Sequence, residues 1–330
     1  MLQILLIQTQ YITRLVFSIV LIREVLQSME TLQNIIDCHF HLWSGDRQRF
    51  PFVPEPRYTP DYASTADQWD HDRVDAGIAL GIAVSGAPYG DDPSFLYHSL
   101  ELAPQTMRGI CLLNPNTADS VERLEQTVTG RKIVGVRLQT SWLWGMDWDS
   151  PHLAAFWQRL GQLNLVAQMH LEPEWNPHFL QMVERFPQTR VVIDHLGRPR
   201  DGNAVDFMLF KAIAAHPHVY MKLSSFDSES GEDRPYLKVQ PVVEELVTWF
   251  TTSRCVWGGN NYRGGMGSAA YRQLFMDAQR LLAFLSPQEQ QQIFCDNPCV
   301  LFNLDIGVIN VKYFSRIATI KMPGLRGLFG

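Results

Sequence analysis

The chain has 330 residues, of which 46% are hydrophobic and 19% charged, with a formal net charge of −6. That balance supports a large apolar core and excludes a disordered or fibrous chain. No cluster of Lys and Arg interleaves with aromatics, so nucleic acid is not an expected partner. Five scattered cysteines (Cys38, Cys111, Cys255, Cys295, Cys299) fit reduced thiols and a cytoplasmic setting.

In chain order, residues 1–28 come first, rich in Leu, Ile and Gln. Their longest uncharged apolar run, Leu15 to Ile22, is too short to span a bilayer, and no small-residue cleavage site follows it. The segment reads either as an extension outside the fold or as a membrane-surface helix. From Gln33 to Asp305, short runs rich in Val, Ile and Leu alternate with longer amphipathic ones. Strands are predicted at Asn34–His41, Gly77–Ser85, Met107–Asn114, Ile133–Gln139, Leu165–Leu171, Arg190–Leu196, His218–Ser224 and Cys255–Asn260. Helices are predicted between them, for example at Pro151–Leu163, Pro177–Phe186, Asp206–His216, Val239–Phe250 and Ala269–Phe284. Eight such units spell a (β/α)8 TIM barrel over residues 33–305. A doubly wound sheet would want a Gly-rich loop after the first strand, where this chain reads Asp37-Cys-His39-Phe-His41. Residues 306–330 form a basic tail with Lys312, Arg316, Lys321 and Arg326 and no acid.

Catalytic residues of such barrels sit at the C-terminal ends of strands. His39 and His41 are two apart on the first strand and should face the interior together, with Asp37 sharing their parity one layer deeper. Two imidazoles so placed can chelate a metal or polarise a carbonyl; as a lone pattern they are equally well a hydrogen-bonded core pair. The recurrence decides: His170 closes the fifth strand and His195 the sixth. The remaining histidines (His71, His98, His152, His178, His216, His218) read as surface or capping residues. For substrate binding, Arg137 near the end of strand four, Lys222 at the end of strand seven and Arg198 after His195 offer cations at one mouth. Trp43, Phe50, Trp142, Trp144 and Trp148 could wall a sugar or aromatic acid.

Together, Asp37-Cys-His39-Phe-His41, His170, Val192-Ile-Asp194-His195-Leu-Gly197-Arg-Pro199, Val219-Tyr-Met-Lys222-Leu-Ser224, Cys255-Val-Trp257-Gly258 and Ile293-Phe-Cys-Asp-Asn297-Pro-Cys-Val-Leu-Phe302 resemble the amidohydrolase-related family. The likeness is to its branch of sugar-acid and pyrone-dicarboxylate lactonases. The resemblance covers roughly Ile35 to Leu304. It implies a hydrolase that opens a lactone or related cyclic ester of a small organic or sugar acid, using either one divalent metal such as zinc or none. A metal, if bound, would sit on His39, His41 and His170. The family usually carries Trp-Gly-Ser-Asp-Trp-Pro at strand eight, its Asp serving as the base for water. Here Trp257-Gly-Gly-Asn260-Asn-Tyr262 puts Asn260 at that position, and an amide accepts no proton at neutral pH. The base would then be His195, His170 or a metal-bound hydroxide. A decarboxylase of the same superfamily and a non-catalytic metabolite-binding barrel are the competing readings, and a homo-oligomer is left open.

Overall fold

The computed structural model describes residues 32–140, 143–199 and 204–305. The chain divides into a unit Asn34–Asn310 and a second made of Met1–Gln33 with Val311–Gly330. The expectations for residues 1–28 and 306–330 lie outside the described residues.

The first unit is an eight-stranded parallel sheet in sequence order, β1 to β8. The strands are β1 Ile35–Phe40, β2 Ile78–Val84, β3 Met107–Leu112, β4 Ile133–Gln139, β5 Val166–His170, β6 Val191–Ile193, β7 Val219–Leu223 and β8 Cys255–Trp257. Past the last strand the chain returns to the first: Asn260 N–H donates to the His39 carbonyl at 2.7 Å and Gly259 N–H to the Asp37 carboxylate at 2.8 Å. The barrel is thereby held together across β1 and β8. Helices cross between the strands, among them α1 Ala66–Ala76, α2 Ser94–Leu102, α3 Ser120–Val128, α4 Pro151–Gln162, α5 Asn176–Arg185, α6 Ala204–Ile213, α7 Phe226–Ser230, α8 Gln240–Phe250 and α9 Ser268–Leu281. Among the described residues no helix is long and apolar enough to cross a membrane.

Interior side chains stack in layers, as period-two strands in a barrel require. The floor is apolar: Ile36, Cys38, Ile82, Val166, Val192, Tyr220 and Val256 pack with Leu301 and Phe302 of the C-terminal helix Asn297–Phe302. Two residues further along each strand the layer turns ionic, with Gln168 above Val166, Asp194 above Val192 and Lys222 above Tyr220. Two residues further again come His170, Ser224 and Asn260, at the mouth.

β1 departs from the expected alternation. Its pairing with β2 shifts register between Asp37 and Phe40, the mark of a bulge. The interior therefore takes Ile36 and Cys38 below and His39 above, while Asp37 turns the other way. Its carboxylate accepts from Tyr271 Oη of α9 at 2.8 Å and from His39 N–H at 2.9 Å. Asp37 is thus a strap between β1, the segment after β8 and α9, not a deeper member of the histidine layer. Burial pushes its carboxyl up to about 6.

The straps demand glycine. A Cβ on Gly258 would lie 2.7 Å from His39 Cβ, and one on Gly259 2.7 Å from Asp37 Oδ2. Gly258→Ala should therefore lower unfolding free energy by about 1–3 kcal/mol through overpacking, read as a lower urea midpoint. A midpoint shift equivalent to under about 0.5 kcal/mol, the ordinary scatter of surface changes, would mean that β1 and β8 are not in this contact.

Candidate active site

His39 and His41 bring their Nε2 atoms 3.3 Å apart, rings edge to face. The hydrogen-bond partners assign the protons. His41 Nδ1 lies 2.8 Å from the Val84 carbonyl and must donate to it. His41 Nε2 is then an acceptor, so His39 Nε2 carries the hydrogen between them. His39 Nδ1 lies 3.4 Å from Lys222 Nζ and 3.5 Å from Asp194 Oδ1.

The segment after β6 supplies the opposite wall. Four consecutive residues, His195, Leu196, Gly197 and Arg198, have φ of 55°, 57°, 70° and 56°. A left-handed turn costs roughly 1–2 kcal/mol for each residue bearing a Cβ, and backbone bonds from Gly197 and Arg198 to the carbonyls of Asp194 and His195 hold it. It places His195 over the barrel mouth and sends Arg198 back across β5. His195 Nδ1 sits 2.9 Å from Ser224 Oγ, and its Nε2 3.3 Å from Arg137 Nη2. A guanidinium only donates, so Nε2 accepts and Nδ1–H points at the serine. Arg198 Nη1 likewise lies 2.8 Å from His170 Nε2.

Beneath these rings lies a buried ionic layer. Asp194 is wholly buried, with Arg137 Nε at 2.9 Å, Lys222 Nζ at 3.1 Å and Gln168 Nε2 at 3.1 Å. Lys222 also donates to Gln168 Oε1 at 2.6 Å. Burial alone would raise the Asp194 carboxyl, but the two cations hold it well below the usual carboxylate range. Burial lowers the Lys222 ammonium, with Asp194 opposing. All four rings are held neutral by burial. His41 is lowered to about 4 and His195 to about 3, and His39 and His170 fall well below the ordinary histidine value.

Above the layer opens a cavity of about 310 Å³ lined by His41, Trp43, Arg137, His170, His195, Arg198 and Asn260. His39 stands just beneath it. Lys222, expected at the mouth, is instead fully buried in the ionic layer, because strand parity gives a side chain's direction but not its depth. Asn260 has a φ of 55°, which Asn tolerates better than most residues, and its Nδ2 donates to Ser225 Oγ at 3.2 Å.

The aromatic wall differs from expectation. Trp43 lines the cavity, but Phe50 packs on Phe95 and His98, and Trp148 on Trp175 and His178. Trp144 is not among the lining residues, and Trp142 lies outside the described residues. Tyr58, Tyr62 and Tyr262 take their places, with Ser225, Ser228 and Glu229. None of these carried a signal in the sequence. Asp194 did, since it immediately precedes His195, and so did Gln168, two residues before His170.

The expected metal set does not assemble. Among the described residues the ligand atoms that gather within 4.8 Å belong to His39, Asp194 and His195, not to His39, His41 and His170. Asp194 is already neutralised by two cations, Lys222 Nζ stands 3.4 Å from His39 Nδ1, Arg198 and Arg137 face the Nε2 atoms of His170 and His195, and position 260 offers an amide. Adding a divalent ion would place two more positive charges among three. The side chains as arranged do not fit a divalent metal.

Comparison with known proteins agrees with this architecture. Residues 36–304 match the amidohydrolase family model. An L-fucono-1,5-lactonase from Burkholderia ambifaria is 24% identical over 285 residues, covering 82% of this chain and 96% of its own. A 2-pyrone-4,6-dicarboxylate hydrolase from Comamonas testosteroni is 26% identical over 288 residues, covering 81% and 89%. Among solved structures, an amidohydrolase from Burkholderia multivorans with bound zinc superposes with a TM-score of 0.68 at 19% identity, covering 82% of this chain and 99% of its own.

Proposed function

The chain belongs to the amidohydrolase family, and from that premise we propose that it hydrolyses a lactone of a small organic or sugar acid, its own side chains supplying the chemistry without a resident divalent metal. The observation that carries this reading is the cavity itself: neutral imidazoles and two guanidiniums, Arg137 and Arg198, converge at the strand ends. Lactone opening develops negative charge on the carbonyl oxygen as water adds. Preorganised guanidinium N–H groups in a site of low dielectric stabilise such charge without reorganising. The same cations suit a substrate carboxylate, which pairs with Arg in a planar, bidentate manner. The two lactone-hydrolysing relatives support the reaction class. The ionic layer gives the site rigidity, since Asp194 fixes Arg137 from below and the left-handed turn fixes His195 from above.

A panel of lactones with and without a free carboxylate, followed by proton release, tests the reading. Ring opening is expected, with KM at least about tenfold lower for carboxylate-bearing members, the worth of one charge-assisted hydrogen bond. Treatment with a chelator should change kcat less than about twofold. Absence of turnover across the panel would point instead to a metabolite-binding barrel. Loss of activity on chelation, restored by zinc, would overturn the metal-free part alone.

A further inference from the structure

His39 Nδ1 and Asp194 Oδ1 lie 3.5 Å apart, and neither side chain has exposed surface. Two ligand atoms that share a tetrahedral ion at about 2.1 Å are separated by about 3.4 Å. This pair therefore already stands at the spacing of a chelate, and both atoms have electrons to offer. The hydrogen of the neutral His39 ring is on Nε2, toward His41, which leaves the Nδ1 lone pair on the Asp194 side. Among the described residues no donor meets Asp194 Oδ1 at hydrogen-bond geometry, whereas Oδ2 receives Arg137 Nε and Gln168 Nε2. A ring nitrogen of His195 completes the group, all three ligand atoms falling within 4.8 Å of one another.

An ammonium occupies the place such an ion would take. Lys222 Nζ is 3.1 Å from Asp194 Oδ1 and 3.4 Å from His39 Nδ1, and it is held there by Gln168 Oε1 at 2.6 Å. Its charge acts together with its volume. Asp194, Lys222 and Arg137 sum to one net positive charge, and a divalent ion added to them would raise that to three, with little water to screen it. A divalent ion exchanged for the lysine, with a carboxylate in the lysine's place, would leave the layer at the single positive charge it already carries.

We propose that Lys222 stands in for a metal: it fills a latent divalent-cation site on His39, Asp194 and His195 and keeps that site closed in the natural protein. The proposal deepens the metal-free part of the reading above and is independent of which lactone the enzyme opens. It makes Lys222 the residue that selects between a fixed ammonium and a metal ion in this layer.

The test dialyses wild type, Lys222→Glu, Lys222→Ala and the Lys222→Ala/Asp194→Asn pair against zinc chloride, removes unbound metal, and measures zinc content and thermal midpoint. Wild type should retain no zinc above the buffer background, with an unchanged midpoint. Lys222→Glu should retain about one zinc per chain and gain at least about 3 °C in midpoint by mass action on the native state. Lys222→Ala should respond in the same direction with a smaller rise, since it supplies room but no fourth ligand. Restoring the deficit by Asp194→Asn should bring zinc content back to the wild-type level. Cobalt(II) in Lys222→Glu should show the visible absorption of an ion in a protein site of low coordination number, absent from wild type. A wild type that retains one zinc per chain with a raised midpoint overturns the proposal and the metal-free reading together. Folded Lys222→Glu and Lys222→Ala proteins that retain no more zinc than wild type overturn the proposal alone and leave the lactonase reading standing. Zinc retained equally in the Asp194→Asn pair would place the ion on other residues and overturn it as well.

Discussion

Asp194→Asn should destabilise the protein by about 3–5 kcal/mol, the range found when one member of a buried charge network is removed. Asp194 has no exposed surface, and neither has Lys222. The carboxylate neutralises Lys222 at 3.1 Å and Arg137 at 2.9 Å. Without it, two cations face each other across a buried layer. Lys222 can answer by releasing its proton, because burial already lowers its pKa. Arg137 cannot, since a guanidinium stays charged under any ordinary condition. Lys222→Met alone should be milder, because Asp194 keeps Arg137. Combined with Asp194→Asn it should recover part of the loss, giving a coupling energy of at least about 1 kcal/mol in a double-mutant cycle. Urea unfolding at constant m-value reads all three variants. A loss under about 1 kcal/mol for Asp194→Asn, or additivity of the pair, would show that this layer is not a single network.

The same layer shows what the sequence could and could not say. Eight apolar runs at regular spacing identify the barrel, and His39, His41, His170 and His195 mark the end where the site lies. Two predicted strands run three residues past the observed ends, each for a local backbone reason. The run Arg190–Leu196 stops at Ile193 because His195 to Arg198 adopt left-handed backbone. Only Gly197 hints at this, and a Cβ there would also strike the Phe210 ring at 2.4 Å. Cys255–Asn260 stops at Trp257 because Gly258 and Gly259 let the chain close against β1. The bulge in β1 reversed Asp37, since a parity argument assumes an unbroken pleat. For Lys222, strand parity gives the direction of the side chain but not its depth. Glu229 lies on a five-residue helix with no periodic pattern, and only the folded chain brings it to the cavity.

The stability of the whole site should be strongly acid-sensitive, and the sign follows from the direction of each shift. A buried histidine with a folded pKa below its unfolded value, near 6.5, takes up its proton in the unfolded state first. The stability it contributes is full above pH 6.5 and is lost as pH falls from 6.5 toward the folded value. The loss is about 1.4 kcal/mol per pH unit for each ring. For His41 that window runs down to about 4 and for His195 to about 3, and His39 and His170 shift in the same direction. Asp37 works the other way. Its folded pKa of about 6 exceeds its ordinary value of 3.8, so it adds stability as pH falls between those values. Asp194 matters only below 3.8, where its depressed pKa removes stability. His41 and His195 against the one carboxyl leave roughly one proton's worth, about 1.4 kcal/mol per pH unit between pH 6 and 5, and His39 and His170 add to it in the same direction. Urea midpoints at pH 7, 6 and 5 should therefore fall steeply. In His195→Gln, which keeps a polar side chain but cannot titrate, the slope of unfolding free energy against pH should decrease by about 1.4 kcal/mol per unit. A flat profile between pH 7 and 5 would mean that the rings are not buried in their neutral form. An unchanged slope in His195→Gln would remove that ring from the set, and with it the hydrogen-bond assignment that makes Arg137 its donor.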